Sequence, residues 1–302
     1  MVNSPGYGEA TQHREDCHTG CGLDRFAAIH EDIPLYLCNS PKAMTHYCAV
    51  IGNPVAHSRS PQIHAGFAAA RGIDLRYDRI LARDETEFAA TVARFFADGG
   101  RGLNVTVPFK QTAWRRCDRT TPYAAAAEAV NTLWMENGQL CGDNTDGRGL
   151  CAALQHDHGI TLANARILIL GAGGAARGVI LPLCEANPAA LHLANRTPAK
   201  AEAVIASQQP LTTVPLAACS LTDLARLGAY DLIINATSTG LSNEPLVLPA
   251  NIAHRDSRAY DMQYGKTTSF LAWATAQHLT AHDGYTMLVA QARLSFQQWF
   301  PQ

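Results

Sequence analysis

Several polar clusters interrupt apolar stretches in the first half of the chain, and each holds side chains able to bind or move charge. Ser58 and Ser60 flank Arg59 and lead into Pro61. Pro61 suits the first helical position and Ser60 the N-cap before it. Two hydroxyls beside a helix N-terminus form a receptor for a carboxylate, whereas simple capping accounts for Ser60 and leaves Ser58 unexplained. Asn104 and Thr106 then share one face of a strand by period two, and Pro108 stops it. Lys110 follows at a helix start, where the positive end of the dipole disfavours its ammonium form. A lysine so placed can move protons near neutral pH; taken alone, an ordinary surface lysine is the better reading. Asn131 in Ala129-Val-Asn-Thr132 and Asp146 in Asp143-Asn-Thr-Asp-Gly147 complete the set. Read singly, these two are turn and cap residues.

A different chemistry is written into the second half. The apolar strand Arg166–Leu170 runs straight into Gly171, Ala172, Gly173, Gly174 and Ala175, followed by Ala176 and the helical Val179-Ile-Leu. This is G-x-G-x-x-A between a buried strand and a helix, the context in which the pattern binds dinucleotides. Gly171 permits the turn, Gly173 lets backbone approach a diphosphate, and Ala176 lets the helix pack closely on the strand. The helix N-terminus offers N–H donors to the phosphates. About 20 residues further on, an NAD site carries a carboxylate for the ribose 2′-hydroxyl. Here the next strand ends in Asn195, Arg196 and Thr197, with Lys200 one turn later. Cations in place of a carboxylate fit a 2′-phosphate, so the expected cofactor is NADP. Capping of the next helix by Asn195 or Thr197 is compatible with that role.

Alternating strands and helices must position these groups. Strands are expected at 46–52, 74–81, 101–107, 130–136, 139–141, 166–170, 190–195, 212–216, 231–235 and 258–262. Helices are expected near 61–71, 84–98 and 146–158, and Asn137-Gly138 favours a type I′ hairpin turn. Such alternation predicts an α/β protein of two lobes with mainly parallel sheets covered by helices. The first lobe is a substrate-binding catalytic domain at 44–145 and the second a Rossmann-type domain at 146–283. A C-terminal helix over 284–302 returns to the first lobe.

With 302 residues the chain is long enough for two domains. Hydrophobic residues at 47% and charged residues at 17% describe a globular chain. A net charge of −2 removes the electrostatic footprint of a nucleic-acid binder. No apolar run reaches the ~18 residues of a membrane span, and the polar N-terminus argues against a signal peptide. Nine scattered cysteines, several in apolar runs, read as free thiols of a cytoplasmic protein. Residues 1–43 lack apolar periodicity and read as a disordered or non-native extension, with Met44 as the natural start. A metal clip from His13, Cys17, His18 and Cys21 is the alternative there; no second ligand pair follows at zinc-finger spacing, and no metal is expected.

Taken in order, these stretches resemble the shikimate dehydrogenase family from Met44 nearly to the C-terminus. To those quoted above are added Asn235-Ala-Thr-Ser238, Tyr260-Asp-Met262 and Met287-Leu-Val-Ala-Gln-Ala292. The resemblance implies NADP-linked interconversion of 3-dehydroshikimate and shikimate in aromatic amino-acid biosynthesis, by a monomer or homodimer. It implies Lys110 and Asp146 as the catalytic pair, and Ser58 and Ser60 as the carboxylate receptor. Thr106, Asn131, Asp146 and Gln291 would address the carboxylate or ring hydroxyls, with Tyr264 closing one side. Gly171 to Ala175 would take the diphosphate, and Asn195, Arg196, Thr197 and Lys200 the 2′-phosphate. Met262 and Gly284 would lie near the nicotinamide. The chain departs from the family pattern at Glu128 and Thr286, where glycine is common, and at Lys200, often arginine. It also stops short of a final helix many relatives carry, which is expected to weaken packing of the first lobe. Two other readings share these residues: a quinate/shikimate dehydrogenase with relaxed NAD/NADP use, and a non-catalytic sensor of the same ligand class.

Overall fold

The computed structural model describes residues 45–237 and 246–301, so the His13, Cys17, His18 and Cys21 cluster lies outside the described residues. The described residues build two six-stranded sheets. The first runs through β1 (His46–Gly52), α1 (Ser60–Ala70), β2 (Leu75–Leu81), α2 (Glu85–Ala97) and β3 (Gly102–Val105). It continues with α3 (Lys110–Arg116), β4 (Arg119–Thr120), α4 (Pro122–Ala127), β5 (Thr132–Glu136) and β6 (Gln139–Asp143). Its strand order is β2-β1-β3-β5-β6-β4, with β1 parallel to β2 and β3, and β5 antiparallel to β3 and β6. Asn137 and Gly138 both take positive φ, 51° and 78°, as a type I′ turn requires, and Glu136 pairs with Gln139 across it.

Helix α5 (Asp146–Ala152), prolonged by a π turn over Ala153–Asp157, leads to the second sheet. That sheet contains β7 (Arg166–Leu170), β8 (Ala190–Asn195), β9 (Leu216–Ser220), β10 (Tyr230–Asn235), β11 (Ala253–Asp261) and β12 (Thr280–His282). The intervening helices are α6 (Gly174–Glu185), α7 (Pro198–Gln208) and α8 (Ser269–Ala276), and α9 (Tyr285–Trp299) closes the chain. All pairs in this sheet are parallel, in the order β12-β11-β10-β7-β8-β9. Read from the other edge, this is the doubly wound order of dinucleotide-binding sheets, with its switch point between β7 and β10. Isoleucine and leucine fill β7 on both faces, because helices cover both sides: Ile167, Leu168, Ile169 and Leu170 are all fully buried.

Three strands differ most from their expected limits, and the one expected at 258–262 runs over Ala253–Asp261 instead. The strand expected at 212–216 forms four residues later, at Leu216–Ser220. Thr212, Thr213 and Val214 have strand propensity, but Pro215 cannot donate to the ladder; only its carbonyl is used, by Leu191 N–H at 3.0 Å. The strand expected at 101–107 is cut to Gly102–Val105, so Thr106 lies beyond the ladder that holds Asn104.

The described C-terminal segment packs on the first lobe. Phe296, Trp299 and Phe300 bury against Cys48 and Ala68, and the Trp299 indole N–H donates to the Leu133 carbonyl at 3.1 Å. Arg71 holds the Phe300 carbonyl and Arg101 the Trp299 carbonyl. Among the described residues the six cysteines are free thiols, and burial pushes Cys48 up to about 12. No described helix is long and apolar enough to cross a membrane.

Candidate active site

Two segments far apart in sequence meet at Lys110 and Asp146. Lys110 is the first residue of α3, whose entry is fixed by hydrogen bonds from Phe109 N–H to Thr106 O and from Val130 N–H to Lys110 O. Asp146 is the first residue of α5, and its N–H is capped by Asn144 Oδ1 at 3.0 Å. Lys110 Nζ lies 2.5 Å from Asp146 Oδ2, with the two side chains 28% and 12% exposed. The pair is thus accessible to a small molecule but shielded enough for charge to matter.

Asn131 completes this centre. It is buried in the link from α4 to β5, and its Nδ2 donates to Asp146 Oδ1 at 2.8 Å and to Thr145 Oγ1 at 2.9 Å. Its Oδ1 accepts from Thr145 N–H at 3.0 Å, which fixes the amide's orientation. Gln291 comes from α9: its Oε1 lies 3.4 Å from both Asn131 Nδ2 and Thr145 Oγ1. Gly149 permits the approach, since a Cβ there would stand 2.7 Å from Gln291 backbone.

Behind these groups runs a buried polar network that sequence reasoning missed. Ser295 Oγ and Thr132 Oγ1 are 2.7 Å apart, and Asn104 Nδ2 donates to Ser295 Oγ at 3.1 Å. Asn104 Oδ1 accepts from the Tyr77 hydroxyl at 2.7 Å. Ser295 follows Gln291 by four residues, so helical spacing alone puts both on one face of α9. Thr145 was visible inside the Asn144-Thr-Asp146 run. Asp143 is held by Thr121 and Arg148, which keeps the neighbouring turn rigid.

The serine loop departs from the expected capping. Helix α1 begins at Ser60 itself, with Arg59 as N-cap and Pro61 in the first turn. Ser60 is therefore not the cap; Ser58 Oγ accepts from Ser60 N–H at 3.3 Å and donates to Ser60 Oγ at 3.1 Å. The two hydroxyls do stand together at the helix start. Tyr264 approaches this loop through Tyr285: the two rings are 6.4 Å apart, and the Arg59 guanidinium lies 5.8 Å from the Tyr285 ring. Burial pushes the Tyr264 phenol up while Arg59 pulls it down, so its hydroxyl stays protonated. Thr106 sits beside Gly52, where a Cβ would collide with its methyl group.

On the second sheet, Gly171 takes φ +102° directly after β7, and its N–H donates to Ala194 O at 2.7 Å. That left-handed conformation favours glycine. Gly173 and Gly174 are exposed at the start of the 12-residue α6, with nothing within 4 Å of where a Cβ would stand. The open backbone and the free helix N-terminus fit a diphosphate. Ala172 and Ala175 flank it. Asn195 Nδ2 donates to Thr197 O at 2.9 Å, while Arg196, Thr197 and Lys200 are exposed at the end of β8. No carboxylate stands at the β8 end position, so the donor set fits a phosphorylated ribose better than a free diol. Met262 follows β11, and Gly284 packs on it: a Cβ at Gly284 would lie 2.4 Å from Met262 O.

Both glycine-replacing residues are accommodated. Glu128 adopts φ 49° as the C-cap of α4, a left-handed position that favours glycine, and its carboxylate pairs with Arg177 of α6. Thr286 Oγ1 lies 2.9 Å from His158 Nε2 and 3.1 Å from the Tyr260 hydroxyl. Close packing joins the halves: a Cβ on Gly147, next to Asp146, would lie 2.4 Å from the Gly178 carbonyl of α6. The Lys110–Asp146 centre is thereby anchored to the helix that follows the glycine loop.

Residues 50–133 match the family model described as the shikimate dehydrogenase substrate binding domain, and residues 153–261 that of shikimate/quinate 5-dehydrogenase. The chain is 49% identical over 259 residues to the NADP(+) shikimate dehydrogenase of Acinetobacter baumannii, covering 85% of this chain and 96% of the relative. An Ael1 enzyme of Pseudomonas putida superposes with a TM-score of 0.80 at 38% identity, over 85% of this chain and 94% of that one. The Thermus thermophilus shikimate 5-dehydrogenase, solved with NADP(H) and shikimate, gives 0.75 at 32% identity, over 85% and 94%. Together with the paired Lys110 and Asp146 and the doubly wound second sheet, these matches establish that the chain belongs to the shikimate dehydrogenase family.

Proposed function

We propose that this chain catalyses the reversible NADP-linked interconversion of 3-dehydroshikimate and shikimate. The observation that carries the reading is the Lys110–Asp146 pair, 2.5 Å apart, with Asn131 bonded to the second carboxylate oxygen. NADPH, which Gly171 to Ala175 would hold, would supply the hydride for the substrate ketone. Lys110 Nζ gives a proton to the nascent alkoxide oxygen, and in the reverse direction takes it from the hydroxyl. Asp146 fixes where Nζ sits, and the carboxylate is itself held in place by Asn131.

The remaining residues bind and orient. Ser58 and Ser60 hold the substrate carboxylate, and Thr106, Asn131, Asp146 and Gln291 address the carboxylate or the ring hydroxyls, with Tyr264 closing one side. Gly171 to Ala175 cradle the diphosphate; Asn195, Arg196, Thr197 and Lys200 receive the 2′-phosphate; Met262 and Gly284 border the nicotinamide. In this reading residues 44–145 are the substrate lobe, 146–283 the cofactor lobe, and 284–302 the return segment that delivers Gln291. The free thiols among the described residues suit the reducing cytoplasm.

Initial rates with shikimate and quinate, each against NADP and NAD, test the assignment. Turnover of shikimate with NADP alone is expected. Comparable quinate or NAD rates would move the assignment to the broader dehydrogenase, and no turnover by a folded protein that still binds shikimate would make it a sensor.

A further inference from the structure

The serine loop carries a feature that hydroxyls and a helix start do not explain. Arg79, on the edge strand β2, turns its guanidinium onto the Ser58 carbonyl: Nε donates at 2.8 Å and Nη2 at 2.6 Å. Nη2 also reaches Gln62 Oε1, in the first turn of α1, at 3.2 Å. One side chain therefore ties the loop to both the sheet edge and the helix. Arg79, Arg59, His57, Gln62 and Tyr285 line a cavity of about 360 Å³ together with Ser58. No acidic residue lines it.

We infer that Arg79 is a positioning and specificity-determining residue for the substrate carboxylate, acting by clamping Ser58 and by placing a permanent positive charge beside the carboxylate receptor. This rests on the reading that Ser58 and Ser60 bind that carboxylate. Hydroxyls donate to a carboxylate and to a neutral ester alike, with stronger bonds to the anion, so Ser58 and Ser60 supply only part of a preference for the acid. A guanidinium, which never loses its charge, favours the anion. Because Arg79 is exposed, its share is that of a solvated ion pair, about fivefold in affinity.

The test measures Kd for shikimate and for its methyl ester with the full-length protein and the variants Arg79→Ala, Arg79→Lys and Ser58→Ala. Arg79→Ala should lower the acid-over-ester preference about fivefold, and Arg79→Lys should keep most of it. A clamp without a charge role would weaken acid and ester equally; that result, or no change in either Kd, overturns the inference. Loss of the preference in Ser58→Ala but not in Arg79→Ala overturns the Arg79 role alone. A full preference in Ser58→Ala removes the carboxylate reading itself, and the Arg79 role with it.

Discussion

Asn131 and Asp146 are joined by a 2.8 Å hydrogen bond from the amide Nδ2 to carboxylate Oδ1, while the other carboxylate oxygen faces Lys110. The amide cannot rotate away, since its own oxygen is taken by Thr145 N–H. Asp146 is therefore held at both oxygens, and the direction in which it presents Lys110 is set by buried groups rather than by solvent.

Removing the amide leaves one oxygen of a buried carboxylate without its donor. An unsatisfied charged group of this kind costs about 1–3 kcal/mol. Asn131→Ala is expected to lower kcat/KM by roughly 10- to 100-fold, as measured by steady-state kinetics on protein whose unfolding midpoint is checked alongside. A loss below threefold would mean the amide does not steady Asp146.

In the proposed function Arg196 is the residue that separates the two nicotinamide cofactors. Losing a charge-assisted contact to a phosphate costs about 1.5–3 kcal/mol. Arg196→Ala should therefore weaken NADP binding by at least roughly tenfold and leave NAD binding nearly unchanged, as read by fluorescence titration. Equal losses for both would contradict a 2′-phosphate site at the end of β8.

Much of this was legible from the chain. The glycine loop could be read because a buried strand, a tight turn and a helix are all local, and the Asn137-Gly138 turn for the same reason. Lys110 and Asp146 were recognisable as candidates, but their meeting depends on α5 packing against α6 and α9, which no local pattern encodes. Ser295 was invisible because a serine inside a helix has no signature until Asn104 and Thr132 are folded against it. The Ser60 cap failed because Ser58, two residues earlier, supplies the oxygen instead. Arg79 has no local signature in the sequence; only the fold turns it toward Ser58.

His64 gives the first lobe a pH dependence. It is fully buried one turn into α1, stacked on Tyr77 at 4.5 Å and Trp299 at 5.2 Å, and neither ring nitrogen has a hydrogen-bond partner. Burial lowers it to about 3 from an ordinary 6.5. The unfolded chain takes up this proton below pH 6.5 while the folded chain does not. Stability is thus fully present above about 6.5 and falls by roughly 1.4 kcal/mol per pH unit as pH drops toward 3. His64→Phe keeps a stacked ring and should flatten that part of the slope, as measured by urea unfolding at pH 7 and pH 4.5. An unchanged slope would remove His64 as its source.

Trp299 tests how the C-terminal segment supports the first lobe. It is 2% exposed, and a Cβ at Gly102 would stand 2.2 Å from its ring, so no side chain is available to refill the space. Trp299→Ala is expected to cost about 3–5 kcal/mol in chemical denaturation. A cost below about 1 kcal/mol would show that the first lobe does not depend on this segment.

The most direct test of the account is the turnover of Lys110→Ala, with shikimate and NADP affinities measured on the same preparation. Loss of the proton carrier should lower kcat by roughly 10²- to 10⁴-fold, with both dissociation constants changed far less. Near-full turnover would contradict the account, because no proton would then need to pass through the Lys110–Asp146 pair.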